Sequence, residues 1–224
     1  MLDVPECIPD APILNWCVGR TRTTANWTPM YDQSWSAFLQ WLKPDQPAAS
    51  KEVQPYVGGT LVNGRRTART VEQRFLLTLD ADYADRDFPL ETELALHDVP
   101  YLIHTTWRHT PDAHRYRLIL PLSRGVTPNE HKELAWLVMN RLGGDQFDKT
   151  TAQAERFMWG PSTQDRDTYF SQSAHAGAPY LPVDEWLDSQ HTASQSHTNP
   201  SGAKPPQPNP ASRSEAHSGF TVTD

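Results

Sequence analysis

Apolar positions along the chain gather in short runs bounded by Gly, Pro, Asn and Asp, and their spacing switches between two and roughly 3.6. That pattern predicts an α/β (α+β) domain with hairpins. The run Phe75, Leu76, Leu77 and Leu79 has the length of a buried strand, and Ile13 to Val18 forms a shorter one. Trp35, Phe38, Leu39 and Leu42 follow helical spacing, with Asp32 as the expected cap and Pro44 as the stop. Tyr56 to Leu61 reads as extended, ahead of a turn at Asn63-Gly64. Asp87 is expected to cap a helix over 88–97 that turns Leu90, Leu94 and Leu96 inward. Val99–Thr106 and Arg117–Leu122 should pair as a hairpin around Pro111-Asp112. Thr127-Pro128-Asn129-Glu130 is a capping-box start for a helix lined by Leu134, Leu137, Val138 and Leu142 and ended by Gly143-Gly144. Arg156 to Trp159 predicts a last short strand.

The central run breaks into acid at its carboxyl end. Strand side chains alternate faces, so Asp80 and Asp82 point the same way. Two carboxylates so placed repel unless a cation stands between them, and carboxylates suit hard Mg²⁺ or Mn²⁺. A polar loop after a strand gives the same pattern. On either reading, Asp80→Asn and Asp82→Asn are expected to leave the packing intact, with a modest gain in stability where no metal is bound.

Charge adds a qualification. The net charge is −7 over 224 residues, which excludes a uniformly basic nucleic-acid binder. Arginine is nevertheless clustered, as Arg65, Arg66, Arg69 and Arg74 and as Arg108, Arg115, Arg117 and Arg124, which fits phosphate contact at a defined site. Cys7 and Cys17 match no zinc spacing and make a poor disulfide framework, so a reducing cytoplasm is expected. No apolar stretch is long enough to span a membrane, and no signal peptide opens the chain. From Ser189 the composition turns to Ser, Pro, Gln, His and Asn, so 1–188 is read as the folded domain and 189–224 as a disordered tail or linker.

Several familiar chemistries are absent. Asp80 to Asp85 lacks the sixth-position Gly and twelfth-position Glu of a calcium loop. His104, His109 and His114 recur every five residues across a turn, which does not suit a shared zinc site. There is no Walker-type phosphate loop and no G-x-S-x-G elbow. What remains is an acid pair, an Arg/His-rich hairpin, a further acid (Asp148) and a further arginine (Arg156), the minimum kit for nucleotidyl transfer.

In order, Leu77-Thr78-Leu79-Asp80-Ala81-Asp82, Thr105 to Pro111, Arg115 to Ser123, Phe147-Asp148-Lys149-Thr150-Thr151 and Arg156 to Ser162 resemble the archaeo-eukaryotic primase (primase-polymerase) superfamily, in its phage and plasmid replication-protein branch. The resemblance covers roughly 17–165. It implies a mixed sheet with an RRM-like catalytic core and helices packed around it. It implies that Asp80, Asp82 and Asp148 converge as catalytic, metal-holding acids of a two-metal Mg²⁺ or Mn²⁺ site, and that Arg156 contacts the incoming triphosphate. The superfamily's Ser-x-His motif is replaced by Arg115-Tyr116-Arg117, so Arg117 or His109 stands for the nucleotide-binding His, with Arg115 beside it. Arg65, Arg66 and Arg108 are the candidate nucleic-acid contacts. The implied function is primer synthesis on single-stranded DNA from NTPs or dNTPs in the cytoplasm of a bacterial host, with a helicase as a downstream partner and no membrane. The alternatives are a catalytically silent single-stranded nucleic-acid-binding module and a two-metal nuclease or nickase.

Overall fold

The apolar run at 75–79 lies inside a long strand, β5 (Val71–Ala81), at the middle of the molecule. The computed structural model describes residues 12–196, and side chains through Ser189; Cys7 and the tail from 197 lie outside the described residues. Among the described residues the chain forms β1 (Leu14–Val18), β2 (Thr28–Gln33), α1 (Trp35–Leu42), β3 (Pro55–Val57), β4 (Gly59–Leu61) and β5. It continues through α2 (Phe88–Ala95), β6 (Tyr101–Thr105), β7 (Tyr116–Val126), α3 (Pro128–Arg141), β8 (Met158–Trp159), β9 (Ser171–Ala174) and α4 (Val183–Ser196). The strands make two antiparallel sheets, ordered β4-β5-β7-β6-β9 and β2-β1-β3-β8. The fold is therefore a mixed α+β one, and α4 continues past the composition change at 189.

β5 is apolar on both faces because both are covered. Leu77, Leu79 and Ala81 turn toward α2, α3 and α4, where Phe88, Leu134, Val138 and Val183 complete one core. Leu76 turns the other way, with Leu102 of β6 and Ile119 of β7, into a second core with Trp16, Phe38, Tyr56 and Met158. The even-numbered side of β5 thus faces the second sheet, and Asp80 continues that side to the point where the layers part.

Local signals are met with three corrections, one of them that Asp87 stands at the start of α2 without a side-chain capping bond. α1 is capped by Ser34, whose hydroxyl accepts from the Ala37 N–H at 3.1 Å, because Asp32 lies two residues too early and has a φ of 56° within β2. In α2 the residues turned inward are Phe88, Thr92 and the flanking Leu96, while Leu90 and Leu94 are exposed. The ring of Phe88 stacks on Tyr116 at 5.6 Å and meets Phe147 edge-on, and so large an aromatic sets the helix's rotation. The capping box at Thr127 and Glu130 forms as read from sequence. β6 and β7 pair with Leu102 opposite Ile119 and His104 opposite Arg117.

Two arginines, one buried and one half-buried, hold the layers together. Arg74, 1% exposed, donates to the carbonyls of Gly58, Ala154 and Leu76 and to the Thr78 hydroxyl. Burial lowers its pKa to about 10. Arg66 donates to the carbonyls of Glu155 and Arg22 and lies over the rings of Trp27 and Phe157. At Gly59 the backbone of β5 comes so close that a Cβ would stand 2.1 Å from the Gln73 carbonyl oxygen. Gly59→Ala should therefore cost about 1–3 kcal/mol through overpacking, read as a lowered urea midpoint with unchanged slope.

Candidate active site

Where the two sheets part, a cleft of about 260 Å³ opens, lined among others by Asp80, Asp82, His104, Arg115, Arg117 and Arg156. β5 delivers Asp80 and, one step past its end, Asp82. β7 delivers Arg117, directly opposite Asp80 in the ladder. Trp107 and Arg108 enter from the hairpin, and Trp159, Gly160 and Ser162 from the second sheet's β8 and the residues after it; Lys51 completes the rim.

The like-charge problem posed by the acid pair is solved by arginine. Arg117 Nε donates to Asp80 Oδ1 at 2.7 Å and Nη2 to Oδ2 at 3.1 Å, a bidentate pair. Arg117 Nη1 also donates to the Trp159 carbonyl, so one side chain joins the acid, the central sheet and the second sheet. The pair is largely withdrawn from water, with the two side chains 8% and 13% exposed. Arg115 Nη1 meets Asp82 Oδ2 at 2.9 Å in a more open setting, 24% and 31% exposed.

Asp148 is tied to the site through its backbone, its N–H donating to the Asp80 carbonyl at 2.8 Å. Its carboxylate accepts from the Thr150 N–H at 2.9 Å and from the Thr150 hydroxyl, capping the turn 149–152. Arg156 Nη2 lies 3.3 Å from its Oδ2. Among the described residues no group of three or more His, Cys, Asp or Glu side chains is gathered so as to hold a metal ion. Asp148 is not among the residues lining the cleft, where Asp80 and Asp82 both stand. Asp80 and Asp82, both lining the cleft, do fit the habit of Mg²⁺, which binds through one or two carboxylates together with substrate phosphates.

The other expected residues divide between places. His109 lines a neighbouring pocket with His114, Tyr116 and Phe170 rather than the acid cleft, and its Nδ1 accepts from the Arg115 N–H at 3.2 Å. Arg108 lines the cleft; Arg65 is exposed at the turn after β4 and Arg66 is wedged between aromatic rings, both outside the cleft lining. Arg124 pairs with Glu130 and Asp184 instead. Reading from sequence missed Lys51 and His104. Lys51 sits in an irregular stretch that carries no periodic signal. His104 was within reach of strand alternation, since Leu102 and His104 share the face of β6 opposite Ile103 and Thr105.

The cleft carries five cations (Lys51, Arg108, Arg115, Arg117 and Arg156) against two carboxylates, in a chain of net charge −7. Such a site favours a polyanion with several phosphates. Two tryptophans, Trp107 and Trp159, also line it.

A family model described as the VapE N-terminal domain matches residues 10–201. Among solved structures the chain is similar to the AEP domain of the cyanophage S-2L primase-polymerase, at 11% identity, over 79% of this chain and 88% of that one, with a TM-score of 0.45. No curated protein matches the chain. No helix among the described residues is long and apolar enough to cross a membrane.

Proposed function

The chain belongs to the VapE N-terminal domain family, and on that premise we propose that it is a primase-polymerase domain of a phage or plasmid replication protein, extending primers on single-stranded DNA from (d)NTPs in the host cytoplasm. The observation that carries this reading is the inter-sheet cleft, where two strand-end carboxylates stand among five cations. Arg156 and Arg115, with Lys51 and Arg108 at the rim, bind and orient the triphosphate. Arg117, held by Asp80 and Trp159, fixes the position of the acid rather than reaching out to substrate. Trp107 and Trp159 support the base. A divalent ion held by Asp80 and Asp82 would neutralise the triphosphate and lower the pKa of the attacking 3′-hydroxyl.

The experiment is primer synthesis with labelled nucleotides on single-stranded templates in Mg²⁺ or Mn²⁺. Extended products are expected from the wild type, with a loss of at least about 100-fold in Asp82→Asn, in line with removal of a group acting on transition-state charge. Asp82 is the acid to change, because its partner Arg115 is solvated and the fold should tolerate the loss. One observation favours a second reading, a catalytically silent binding module: each acid already has an arginine of its own. Wild-type protein that binds single-stranded DNA yet makes no product in either metal selects that reading.

Arg156 separates nucleotide from template. Its guanidinium is 39% exposed beside the cleft, so Arg156→Ala should raise the nucleotide Kd by about 10–100-fold, the worth of a charge-assisted hydrogen bond. Template affinity, spread over several cations, should change little. Equal loss of both would assign Arg156 to the template or the fold.

A further inference from the structure

We infer that His104 forms a hydroxyl-accepting subsite in the cleft, its Nε2 receiving the O–H of a nucleotide sugar; this rests on the nucleotide-binding reading above. His104 lines the cleft and is 1% exposed. Its Nδ1 lies 2.8 Å from the Thr105 carbonyl oxygen, which can only accept, so the ring proton sits on Nδ1 and Nε2 presents a bare lone pair. That Nε2 is buried and has no hydrogen-bond partner. Burial, reinforced by the charge of Arg117, keeps the ring neutral near pH 7.

No side chain among the described residues donates to it. Asp80 and the Thr105 carbonyl are acceptors. The guanidinium of Arg117, opposite His104 in the ladder, is turned to Asp80 and Trp159. On the other side Ser171 pairs with His104 across β9, and its hydroxyl makes no bond to Nε2. Buried acceptors are nearly always satisfied by protein, ordered water or ligand, so Nε2 is a place for a donor that the chain itself does not provide. A phosphate oxygen accepts and is the wrong complement for a neutral imidazole in this tautomer. In a nucleotide the remaining donors are the sugar hydroxyls and the base edge. With phosphates on the arginines and the base on Trp107 and Trp159, the sugar is the part left to face His104.

The test is equilibrium binding of three nucleotides in Mg²⁺: an NTP, the matching dNTP and the 2′,3′-dideoxy analogue, which cannot donate from the sugar. Wild type should bind the NTP or dNTP about tenfold more tightly than the dideoxy form, the worth of one hydrogen bond. His104→Phe should bind all three alike, and His104→Gln, which keeps an acceptor, should retain part of the preference. ¹⁵N NMR of the wild-type imidazole needs no variant: the Nε2 resonance should move with the hydroxylated nucleotide and stay still with the dideoxy one. Binding without discrimination in the wild type, or discrimination that survives His104→Phe, overturns this subsite and leaves the nucleotide reading standing. Folded protein that binds none of the three overturns both.

Discussion

Asp80→Asn should lower the free energy of unfolding by about 3–5 kcal/mol, the cost of stranding one member of a buried ion pair. The comparison is Asp82→Asn, whose half-exposed pair should contribute less than about 1 kcal/mol. The reasoning turns on Arg117. It is buried, and its contacts join β5, β7 and β8 through Asp80 and Trp159. Neutralising Asp80 leaves a guanidinium out of water without a counter-charge. The opposing effect is relief of repulsion between Asp80 and Asp82, which in a solvated cleft is worth less than about 1 kcal/mol. The stranded charge wins, so the stabilisation expected from two adjacent carboxylates is overturned by their arginine partners. Denaturation of Asp80→Asn, Arg117→Met and the double variant forms a cycle. The double variant should be more stable than the sum of the two losses predicts. An unchanged or raised midpoint for Asp80→Asn would dismiss the pair as a structural link.

Acid should weaken the fold well above the carboxylate range, with a loss of about 2 kcal/mol between pH 7 and pH 5 from His104 alone. Burial, then the charge of Arg117, lowers its pKa from 6.5 to about 4. Unfolded chain therefore takes up a proton as pH falls through about 6.5, while the folded protein does not until about 4. Where the unfolded state binds more protons, stability rises with pH, so the contribution is present at pH 7 and is lost on the way down. His131, fully buried, is held well below 6.5 by burial and by Arg74 and adds a loss of the same sign. Glu130 does not oppose this. Its carboxyl, lowered to about 2 chiefly by its bond to Arg124, contributes fully above about 4.5 and fades only as pH falls toward 2. Urea midpoints at pH 7, 6 and 5 measure the effect, and His104→Phe should flatten part of the slope. A wild-type midpoint constant over this range would contradict the buried neutral state of both histidines.

Sequence alone determined the elements whose reasons are local. Alternation put Asp80 and Asp82 on one side of β5, a continuous apolar run gave a strand buried on both faces, and Thr127 with Glu130 set the start of α3. Each depends on residues a few positions apart, where side-chain direction is fixed by backbone geometry. The rotation of α2 was open, because Phe88, Thr92 and Leu96 form one stripe and Leu90 and Leu94 another. Only contact with Tyr116 and Phe147 selected the first. The state of the site was likewise decided by tertiary structure. Asp80 and Arg117 are 37 residues apart, Arg117 and Trp159 42, and nothing periodic links such positions. Arg74 and Arg66 carry the same composition signal as Arg115 and Arg156, yet the first two are folded into carbonyls and rings and the second two line the cleft. An arginine's charge is written in the sequence. Whether that charge meets a carbonyl, a carboxylate or a phosphate depends on which strands pair and how closely two sheets approach.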